Sequence, residues 1–210
     1  MRAGVVIIGG GGHAKVVIES LRASGHTVAA IVDADPTPRD VLGVPVVGDD
    51  LQLPALKERG LSQLFVAIGD NRLREKLGRK AQGLGFVLVN AIHPSAVISP
   101  SVKLGQGVAV MAGVAINADT DVGDLAIINT GAVVDHDGRL GVACHLGPAS
   151  ALAGGVTVGD RAFLGVGARA IPGVTIGVDT TVGAGGVVVR DLPDGVLAIG
   201  VPAKIKGDRP

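Results

Sequence analysis

The residues best suited to proton-transfer chemistry in this 210-residue sequence are its five histidines, because imidazole titrates near neutral pH. One of them, His136, stands between two carboxylates, Asp135 and Asp137. A carboxylate that pairs with an imidazole fixes its tautomer and raises its basicity, so this cluster predicts a general base. Adjacent side chains diverge on a straight strand. The pairing therefore requires a bend at this point, and the alternative is a solvated histidine in an acidic surface loop.

Four consecutive glycines, residues 9–12, follow an apolar run and precede a helical pattern. Free N–H groups and the helix dipole favour a phosphate at such a point. The spacing Gly9-x-Gly11-x-x-Ala14 fits a loose dinucleotide fingerprint, and Asp33 ends the next predicted strand, where a ribose-binding acid would lie. Alone, these residues indicate NAD. The region is, however, only about half of a full dinucleotide-binding sheet, and no hydride-transfer residues follow, which favours a nucleotide diphosphate-sugar.

The composition argues against several other classes of function. Lys plus Arg and Asp plus Glu are both 19, so no net charge attracts nucleic acid or an anionic membrane. A single cysteine, Cys144, excludes an internal disulfide framework and fits a reducing compartment. The apolar run Val5–Ile8 is too short for a signal sequence or a membrane span. We therefore expect a cytoplasmic protein with neither a nucleic acid nor a membrane as its partner.

The first ninety or so residues alternate between predicted strands and predicted helices. This order indicates a small, Rossmann-like parallel α/β sheet. The predicted strands are Val5–Ile8, Val28–Val32, Leu64–Ile68 and Phe86–Val89, and the predicted helices are Ala14–Ala23, Leu51–Arg59 and Asn71–Gln82.

After Asn90 the sequence repeats every six residues without insertion or deletion. Of 17 successive repeat positions, all except Ala170 are Ile, Leu or Val; the next residue is often Gly, and the fourth residue after each aliphatic is usually small. Neither an amphipathic helix nor an alternating strand has this period. A β-solenoid does, because each hexad forms one short strand and one corner, and three hexads close a triangular coil of about 18 residues. The repeat positions are Ile92, Ile98, Leu104, Val110, Ile116, Val122, Ile128, Val134, Leu140, Leu146, Leu152, Val158, Leu164, Ala170, Ile176, Val182 and Val188.

The predicted coil also predicts neighbours, because each residue lies beside those about 18 positions before and after it. For His136 these are Ala118 and Gly154, both small, which predicts an open notch beside the imidazole. His145 lies nine residues further on, or half a coil away. Within one chain the imidazoles of His136 and His145 should therefore point from different sides of the coil, and a His136 could meet a His145 only if the latter came from another subunit. Asn129 faces outward and could either bind a ligand or stabilise a corner.

The chain as a whole resembles the hexapeptide-repeat acyltransferases of the left-handed β-helix type. Within them it is similar to the family of sugar acetyltransferases that includes bacterial nucleotide-aminosugar N-acetyltransferases and sialic-acid O-acetyltransferases. The motifs that carry the resemblance run through nearly the full length in the expected order. They are Ile8-Gly9-Gly10-Gly11-Gly12-His13, Ala67-Ile68-Gly69-Asp70-Asn71, Ile92-His93-Pro94-Ser95-Ala96, Ile128-Asn129-Thr130, Asp135-His136-Asp137, Cys144-His145 and Gly200-Val201-Pro202-Ala203-Lys204.

The resemblance implies a nucleotide-sugar-binding domain over residues 1–91, followed by an all-β left-handed parallel β-helix over residues 92–210 with a C-terminal tail. It also implies acetyl-CoA as co-substrate and, as acceptor, the amine of a nucleotide-linked amino-deoxysugar, at C4. The implied assembly is a homotrimer with acetyl-CoA between neighbouring β-helices. By the family pattern His136 is the base and Asp137 its partner, with no metal, although the spacing leaves Asp135 open as the partner.

Binding residues carried over from the family come from both halves of the chain. His145 is placed near the acetyl group of CoA, although it could simply pack against Phe163. His13 could otherwise cap the first helix, and Asp70 stands where the family often has Asn, which leaves a contact there open. The carried-over set is His145, Val166, Ala184, Pro202 and Lys204 for acetyl-CoA, and Gly11, Gly12, His13, Asp33, Asn71 and Asn129 for the nucleotide sugar.

Three alternatives stay open at this point. One is O-acetylation of a sialic acid or of another sugar hydroxyl. A second is a zinc-dependent γ-type carbonic anhydrase, which requires three converging histidines, whereas only His136 and His145 lie within the coils and His93 lies at their entrance. A third is a solenoid with only a structural or binding role, which the nucleotide-type domain disfavours. The sequence leaves the nucleotide itself undetermined.

Overall fold

The computed structural model describes residues 4–208 and divides into two compact units, Met1–Pro94 and Ser95–Pro210. In the first unit, the predicted helices and strands are present in the predicted order, with one additional hairpin. None of the helices in residues 4–208 has the length and apolarity needed to cross a membrane. The first unit contains β1 (Val5–Ile8), α1 (Gly12–Ala23), β2 (Val28–Val32), β3 (Asp40–Val41), β4 (Val44–Pro45), a 3-10 turn (Asp50–Gln52), α2 (Leu53–Glu58), β5 (Gln63–Val66), α3 (Asn71–Gly83), β6 (Val87–Leu88) and β7 (Ala91–Ile92).

The sheet of this unit is parallel, with strand order β2-β1-β5-β6. All four residues of β1 are buried, as expected for a central strand covered on both faces. The antiparallel hairpin of β3 and β4 is absent from the sequence-based prediction. Its turn residues Leu42 and Gly43 both have positive φ, 51° and 73°, and a leucine in that conformation gives no sequence signal.

The second unit is a parallel β-solenoid of about six turns, consistent with a left-handed β-helix. Most of its strands have two residues, of which the second is the repeat position of the hexad. The strands are β8 (Val97–Ile98), β9 (Lys103–Leu104), β10 (Ala109–Val110), β11 (Ala115–Ile116), β12 (Asp121–Val122), β13 (Ile127–Ile128), β14 (Val133–Val134), β15 (Arg139–Leu140), β16 (His145–Leu146), β17 (Ala151–Leu152), β18 (Thr157–Val158), β19 (Phe163–Leu164), β20 (Arg169–Ala170), β21 (Thr175–Ile176), β22 (Thr181–Val182), β23 (Val187–Val188), β24 (Val196–Ile199) and β25 (Lys204–Asp208).

These strands stack into three faces, and the 18-residue register is confirmed at each of them. Face I contains β10, β13, β16, β19, β22 and β24; face II contains β8, β11, β14, β17, β20 and β23; face III contains β9, β12, β15, β18 and β21. On face I, for example, Ile127 pairs with His145 and His145 with Phe163. The repeat aliphatics fill the interior: Ile128, Leu146 and Leu164 are fully buried.

Each coil turns its corners by means of residues with left-handed backbone conformation. In the column between faces II and III these are Asp119 and Asp137, with φ of 59° and 58°, followed by Gly155 and Gly173. Two of the four are not glycine. The geometry of the coil therefore imposes positive φ at this corner. Asp137 belongs to this column.

The C-terminal segment, expected to be a tail, contains a strand. β25 pairs antiparallel with β24, and β24 in turn pairs parallel with β22. The last strand of face I therefore has a partner along its outer edge, where it would otherwise present a row of unpaired backbone groups.

Candidate functional site

The corner between faces II and III brings His136 and Asp137 into contact. Nδ1 of His136 lies 2.7 Å from Oδ2 of Asp137, and about two thirds of each side chain is exposed. The positive φ of Asp137 is the bend that the pairing requires. With its Nδ1–H donated to the carboxylate, the neutral ring presents Nε2 as a proton acceptor.

Asp135 contacts the backbone rather than the ring. Its Oδ1 accepts from the backbone N–H of His136 at 2.9 Å and from Nδ2 of Asn117, in the coil below, at 2.9 Å. Asp137, not Asp135, is therefore the carboxylate that orients the imidazole. The hydrogen bond to Asp137 and then the charge of Asp135 raise the pKa of His136 above its ordinary value.

The notch expected beside the imidazole is present. Backbone bonds place Asp137 beside Ala118, whose oxygen accepts from the Asp137 N–H at 3.0 Å, and place Gly155 above His136. A Cβ built on Gly154 would lie 2.7 Å from Nε2 of His136. The absence of a side chain at Gly154 thus leaves the space in which Nε2 of His136 lies.

His145 and Asn129 form a second polar pair, on face I. Nδ2 of Asn129 lies 3.2 Å from Nε2 of His145, and Oδ1 of Asn129 accepts from the N–H of Thr130 at 2.8 Å. The ring of His145 also meets Phe163 edge-on, with centroids 5.1 Å apart. The expected packing of His145 against Phe163 is therefore present, together with a polar contact to Asn129; its place near the acetyl group of CoA stays a prediction. His136 and His145 lie on different faces of the same chain, as expected.

The other residues carried over for acetyl-CoA lie toward the C-terminal end of the β-helix. Val166 and Ala184 follow β19 and β22 of face I, and both are exposed. The backbone there leaves little space: a Cβ on Gly165 would lie 2.6 Å from the nitrogen of Ala184. Pro202 and Lys204 are exposed in the turn before β25 and at its start.

The glycine run of the first unit forms the turn between β1 and α1. Gly9 has φ of 101°, and a Cβ there would lie 2.6 Å from Ile68, so the fold itself requires this glycine. Gly11 and Gly12 differ, because a Cβ on either would meet no atom within 4 Å. Both are exposed at the start of α1. The space above them, beside the N–H groups of the first helical turn, fits the phosphates of a nucleotide.

Asp33 follows β2 and holds the glycine turn in place. One carboxylate oxygen accepts from the N–H of Gly10 and the other accepts from the N–H of Asp35 at 2.9 Å, while Nη2 of Arg39 lies 3.3 Å away. Partial burial raises the pKa of Asp33, but the N–H groups of Asp35 and Gly10 and then Arg39 outweigh it, so the pKa is lowered. Arg39, which sequence reasoning missed, thus places a cation beside the turn.

His13 lies in the first turn of α1 and does not cap it: Gly11 is the N-cap, with no side-chain bond. Nε2 of His13 is buried and has no hydrogen-bond partner among residues 4–208. Burial and then the nearby Arg74 guanidinium lower the pKa of His13 to about 4. At neutral pH His13 is therefore uncharged, and it can offer a phosphate or sugar a hydrogen bond but no positive charge.

Asn71 and Asp70 begin α3. The carboxylate of Asp70 caps the helix by accepting from the Leu73 N–H at 2.7 Å. The side chain of Asn71 is buried, and its Oδ1 accepts from Nη2 of Arg74 at 2.8 Å. Arg74 is completely buried and donates to the oxygens of Ile68 and Gly69. Asn71 therefore helps to stabilise the loop between β5 and α3, because it holds the arginine that bonds the backbone of that loop.

A cavity of about 410 Å³ opens where β1, β2 and β5 end. Asp33 lines it, together with Lys76 and the ion pair of Lys80 with Asp50, whose charged atoms are 2.6 Å apart. This is the edge of a parallel α/β sheet at which ligands usually bind. Neither here nor elsewhere in residues 4–208 do His, Cys, Asp and Glu side chains form a group of three or more that could hold a metal ion.

Sequence reasoning missed the residues that support these sites. Arg39 and Arg74 lie six and three residues beyond Asp33 and Asn71, in a proline-rich loop and on a helix, where an arginine is usually solvated. Only the folded chain shows that one contacts a carboxylate and that the other is buried. Asn117 could have been found, since it lies 18 residues before Asp135.

Comparison with known proteins finds similarity both to the N-terminal unit alone and to the whole chain. The PglD N-terminal domain family matches residues 4–81. A histidine-to-alanine variant of GDP-perosamine N-acetyltransferase from Caulobacter crescentus, solved in complex with CoA and GDP-perosamine, is 85% identical to this chain. The match covers 99% of each chain with a TM-score of 0.97.

More distant relatives have related descriptions. The acetyltransferase domain of PglB from Neisseria gonorrhoeae, in complex with acetyl coenzyme A, is 40% identical over 98% of this chain and 100% of that one, with a TM-score of 0.91. UDP-N-acetylbacillosamine N-acetyltransferase of Bacillus subtilis is 39% identical over 111 residues, 51% of each chain, so the match spans about half the length of this curated relative. The chain belongs to the nucleotide-aminosugar N-acetyltransferase family of hexapeptide-repeat proteins.

Proposed function

We propose that this protein transfers the acetyl group of acetyl-CoA to the C4 amine of a nucleotide-linked amino-deoxysugar, and that GDP-perosamine is the first acceptor to test. The observation that carries the proposal is the 85% identity, over 99% of both chains, to an enzyme described with CoA and GDP-perosamine. The His136–Asp137 pair and the glycine turn between β1 and α1 supply the two chemical requirements of such a reaction, a base and a nucleotide site.

In the proposed reaction the sugar amine attacks the thioester carbonyl carbon of acetyl-CoA. Nε2 of His136 accepts a proton from the nitrogen, while Asp137 holds Nδ1–H and stabilises the imidazolium that forms. The C–S bond then breaks, CoA leaves as thiolate, and the imidazolium can return the proton to it. The products are the N-acetylated sugar and free CoA. The chemistry of the His136–Asp137 pair needs no metal ion.

We propose that the glycine turn binds the diphosphate of the acceptor. Gly11 and Gly12 leave room for it, and the N-terminus of α1 and the guanidinium of Arg39 supply favourable electrostatics. The neutral His13, which is only partly buried, is proposed to hydrogen-bond the same ligand. Asp33 then acts mainly by holding Gly10 and Arg39. Asn129, which lies beside His145 on face I, is proposed to contact the sugar at the His136 of a neighbouring copy of the chain.

The base and the residues proposed to bind acetyl-CoA lie on different faces, which supports a homotrimer. Face II presents a column of small apolar side chains, Val97, Ala115, Val133 and Ala151, of which Val97 and Val133 are 72% and 39% exposed. An apolar column of this kind fits a second copy of the chain. His136 follows β14 at the edge of this face, so a docked copy could place its own His145, Val166 and Ala184 opposite the base.

The acceptor is tested by supplying acetyl-CoA with GDP-perosamine, a UDP-linked 4-amino sugar or a sialic acid, and by measuring CoA thiol release and the acetylated product. We expect turnover with the amines and a preference for the GDP-linked one. Transfer to the hydroxyl substrate in preference to both amines would refute N-acetylation. The order of the three acceptors should be the same when the acetylated product is detected by mass. This measurement separates acetyl transfer from hydrolysis of acetyl-CoA, which also releases the CoA thiol.

The shared site is tested by coexpressing His136→Ala with His145→Ala. If each site combines His136 of one subunit with His145 of another, random mixing restores about one quarter of the sites. Neither variant alone should be active, so any recovery must come from mixed trimers. If the mixture stays as inactive as its components although it forms trimers, the two histidines do not share a site between subunits.

The compartment follows from the proposed chemistry. Acetyl-CoA and nucleotide-linked sugars are made in the cytoplasm, and the single cysteine, Cys144, is buried and forms no disulfide within residues 4–208, which is compatible with a reducing compartment. We therefore propose that the enzyme acts in the cytoplasm.

A further inference from the structure

The corner that carries the proposed base is held from below by one buried hydroxyl group. Thr120 belongs to the preceding coil, and its side chain is completely buried. Its Oγ1 donates to the backbone oxygen of Asp135 at 3.1 Å and accepts from the N–H of Gly138 at 3.3 Å. One hydroxyl therefore holds the residues on both sides of His136 and Asp137.

The hexad itself does not require this hydroxyl. Thr120 occupies the fourth position after the repeat aliphatic Ile116, a position that is alanine in several other coils, such as Ala126, Ala132 and Ala162. A methyl group is sufficient to fill the interior there. Ser150 occupies the same position, and its buried Oγ has no hydrogen-bond partner among the described residues. A hydroxyl at this position therefore does not bridge a corner automatically.

Side-chain packing does little to hold the His136–Asp137 pair, because both side chains are largely exposed. Their alignment must come from the backbone of the corner. Asp137 has a positive φ, which costs free energy for a residue with a side chain and persists only where neighbouring groups enforce it. The coil geometry enforces positive φ at each corner. At this corner the Thr120 hydroxyl adds two bonds that fix the backbone on both sides of His136 and Asp137, and the Ala118 oxygen, which accepts from the Asp137 N–H, supplies a third.

We propose that Thr120 is a positioning residue for acetyl transfer, whose hydroxyl keeps the imidazole of His136 aligned with the carboxylate of Asp137. This inference rests on the proposed function, in which His136 is the base. Without the hydroxyl, the backbone N–H of Gly138 has no acceptor, so the corner relaxes. The 2.7 Å contact between the His136 ring and the Asp137 carboxylate then lengthens. Displacements of about 1 Å in such groups cost up to about 100-fold in rate.

The chain contains a matched control. Thr180 occupies the same hexad position and is also completely buried. Its Oγ1 donates to the oxygen of Pro193 at 2.5 Å and accepts from the N–H of Val196 at 3.3 Å. The corner that Thr180 bridges carries none of the proposed catalytic or binding residues. Thr120→Val and Thr180→Val therefore remove the same group from the same kind of bridge.

The experiment compares Thr120→Val, Thr120→Ser and Thr180→Val for kcat, for KM of both substrates and for the pH dependence of kcat/KM. We expect Thr120→Val to lower kcat about 10- to 100-fold with KM for acetyl-CoA nearly unchanged, and to move the acidic limb of the profile to lower pH. The charged groups acting on the ring are Asp137 and Asp135, and its neighbours in the adjacent coils, Ala118 and Gly154, are uncharged. Thr120→Ser should restore both properties, and Thr180→Val should alter neither.

Titration of the His136 ring by NMR gives a second readout that does not depend on the substrate. The midpoint should be lower in Thr120→Val than in the wild type, Thr120→Ser or Thr180→Val. Equal losses of kcat in the two valine variants, or an unchanged midpoint in Thr120→Val, would show that Thr120 contributes only to stability. If the wild type acetylates no amine, the proposed function fails, whereas the NMR comparison still decides whether Thr120 aligns the ring.

Discussion

The α/β unit and the β-helix position their functional groups in different ways. In the α/β unit these groups lie in loops where strands end, and they are held by side-chain contacts between distant segments, such as Asp33 with Gly10 and Arg39. In the β-helix each group occupies a fixed place in an 18-residue column, and the coils above and below it hold its backbone, as at His136 and Asp137.

This difference predicts different consequences of mutation. In the β-helix the proposed catalytic groups are exposed and the fold does not depend on them, so substitutions there should affect turnover more than stability. In the α/β unit the binding groups are linked to one another, so loss of one should disturb several and weaken binding of the nucleotide sugar. The separation of kcat from KM therefore distinguishes the two regions.

The largest effect is expected for His136→Ala. Removal of a general base usually costs about 100- to 10,000-fold in kcat, and KM for the nucleotide sugar should change little because that ligand is proposed to bind mainly to the other unit. Steady-state kinetics with both substrates varied will measure this. A variant that folds normally and retains near wild-type turnover would show that another group is the base.

The next largest effect is expected for Gly154→Ala. The new Cβ would lie 2.7 Å from Nε2 of His136, so the exposed ring must move, and kcat should fall about 10- to 100-fold with little change in the melting temperature. A double-mutant cycle supplies the control: in a His136→Ala background the same substitution should have no further effect on activity. Additive losses would mean that Gly154 acts independently of the imidazole.

A smaller effect, in the other region, is expected for Asp33→Ala. Because Gly10 and Arg39 both lose their anchor, KM for the nucleotide sugar should rise about tenfold, the equivalent of one charge-assisted hydrogen bond, while kcat at saturation and KM for acetyl-CoA stay close to wild type. Asp40→Asn, an exposed carboxylate on β3, is the control. A fall in kcat without a rise in KM would contradict the division of roles between the two regions.

The smallest effect is a shift in pH dependence. The pKa of His136 is raised above 6.5 by Asp137 first and Asp135 second, and a base must be deprotonated to act, so kcat/KM should increase with pH through a midpoint above 6.5. Asp137→Asn should lower this midpoint more than Asp135→Asn does. The profile should be recorded at constant ionic strength, since both carboxylates are exposed. A larger shift from Asp135→Asn would reverse the roles inferred from the geometry.

The fold was largely predictable because its signals are local and repeated. A six-residue period with inward aliphatics has few structural solutions, and the register of the coils, including Ala118 and Gly154 beside His136, follows from counting. The helices and strands of the α/β unit were also predicted, with boundaries shifted by one or two residues. The β3–β4 hairpin and the β25 strand were not, because their turns and pairings leave no periodic signal.

The sequence by itself determined which residues share a column and which chemical groups stand at a corner, since periodicity converts directly into position. Only the tertiary structure decided what those groups contact. It shows that Asp137 rather than Asp135 bonds the imidazole, that Arg39 contacts Asp33, that Arg74 is buried near His13, and that Thr120 bridges the corner that carries His136. The physical reason is that hydrogen bonds and burial depend on backbone conformation and on segments far apart in sequence, which a periodic pattern does not encode.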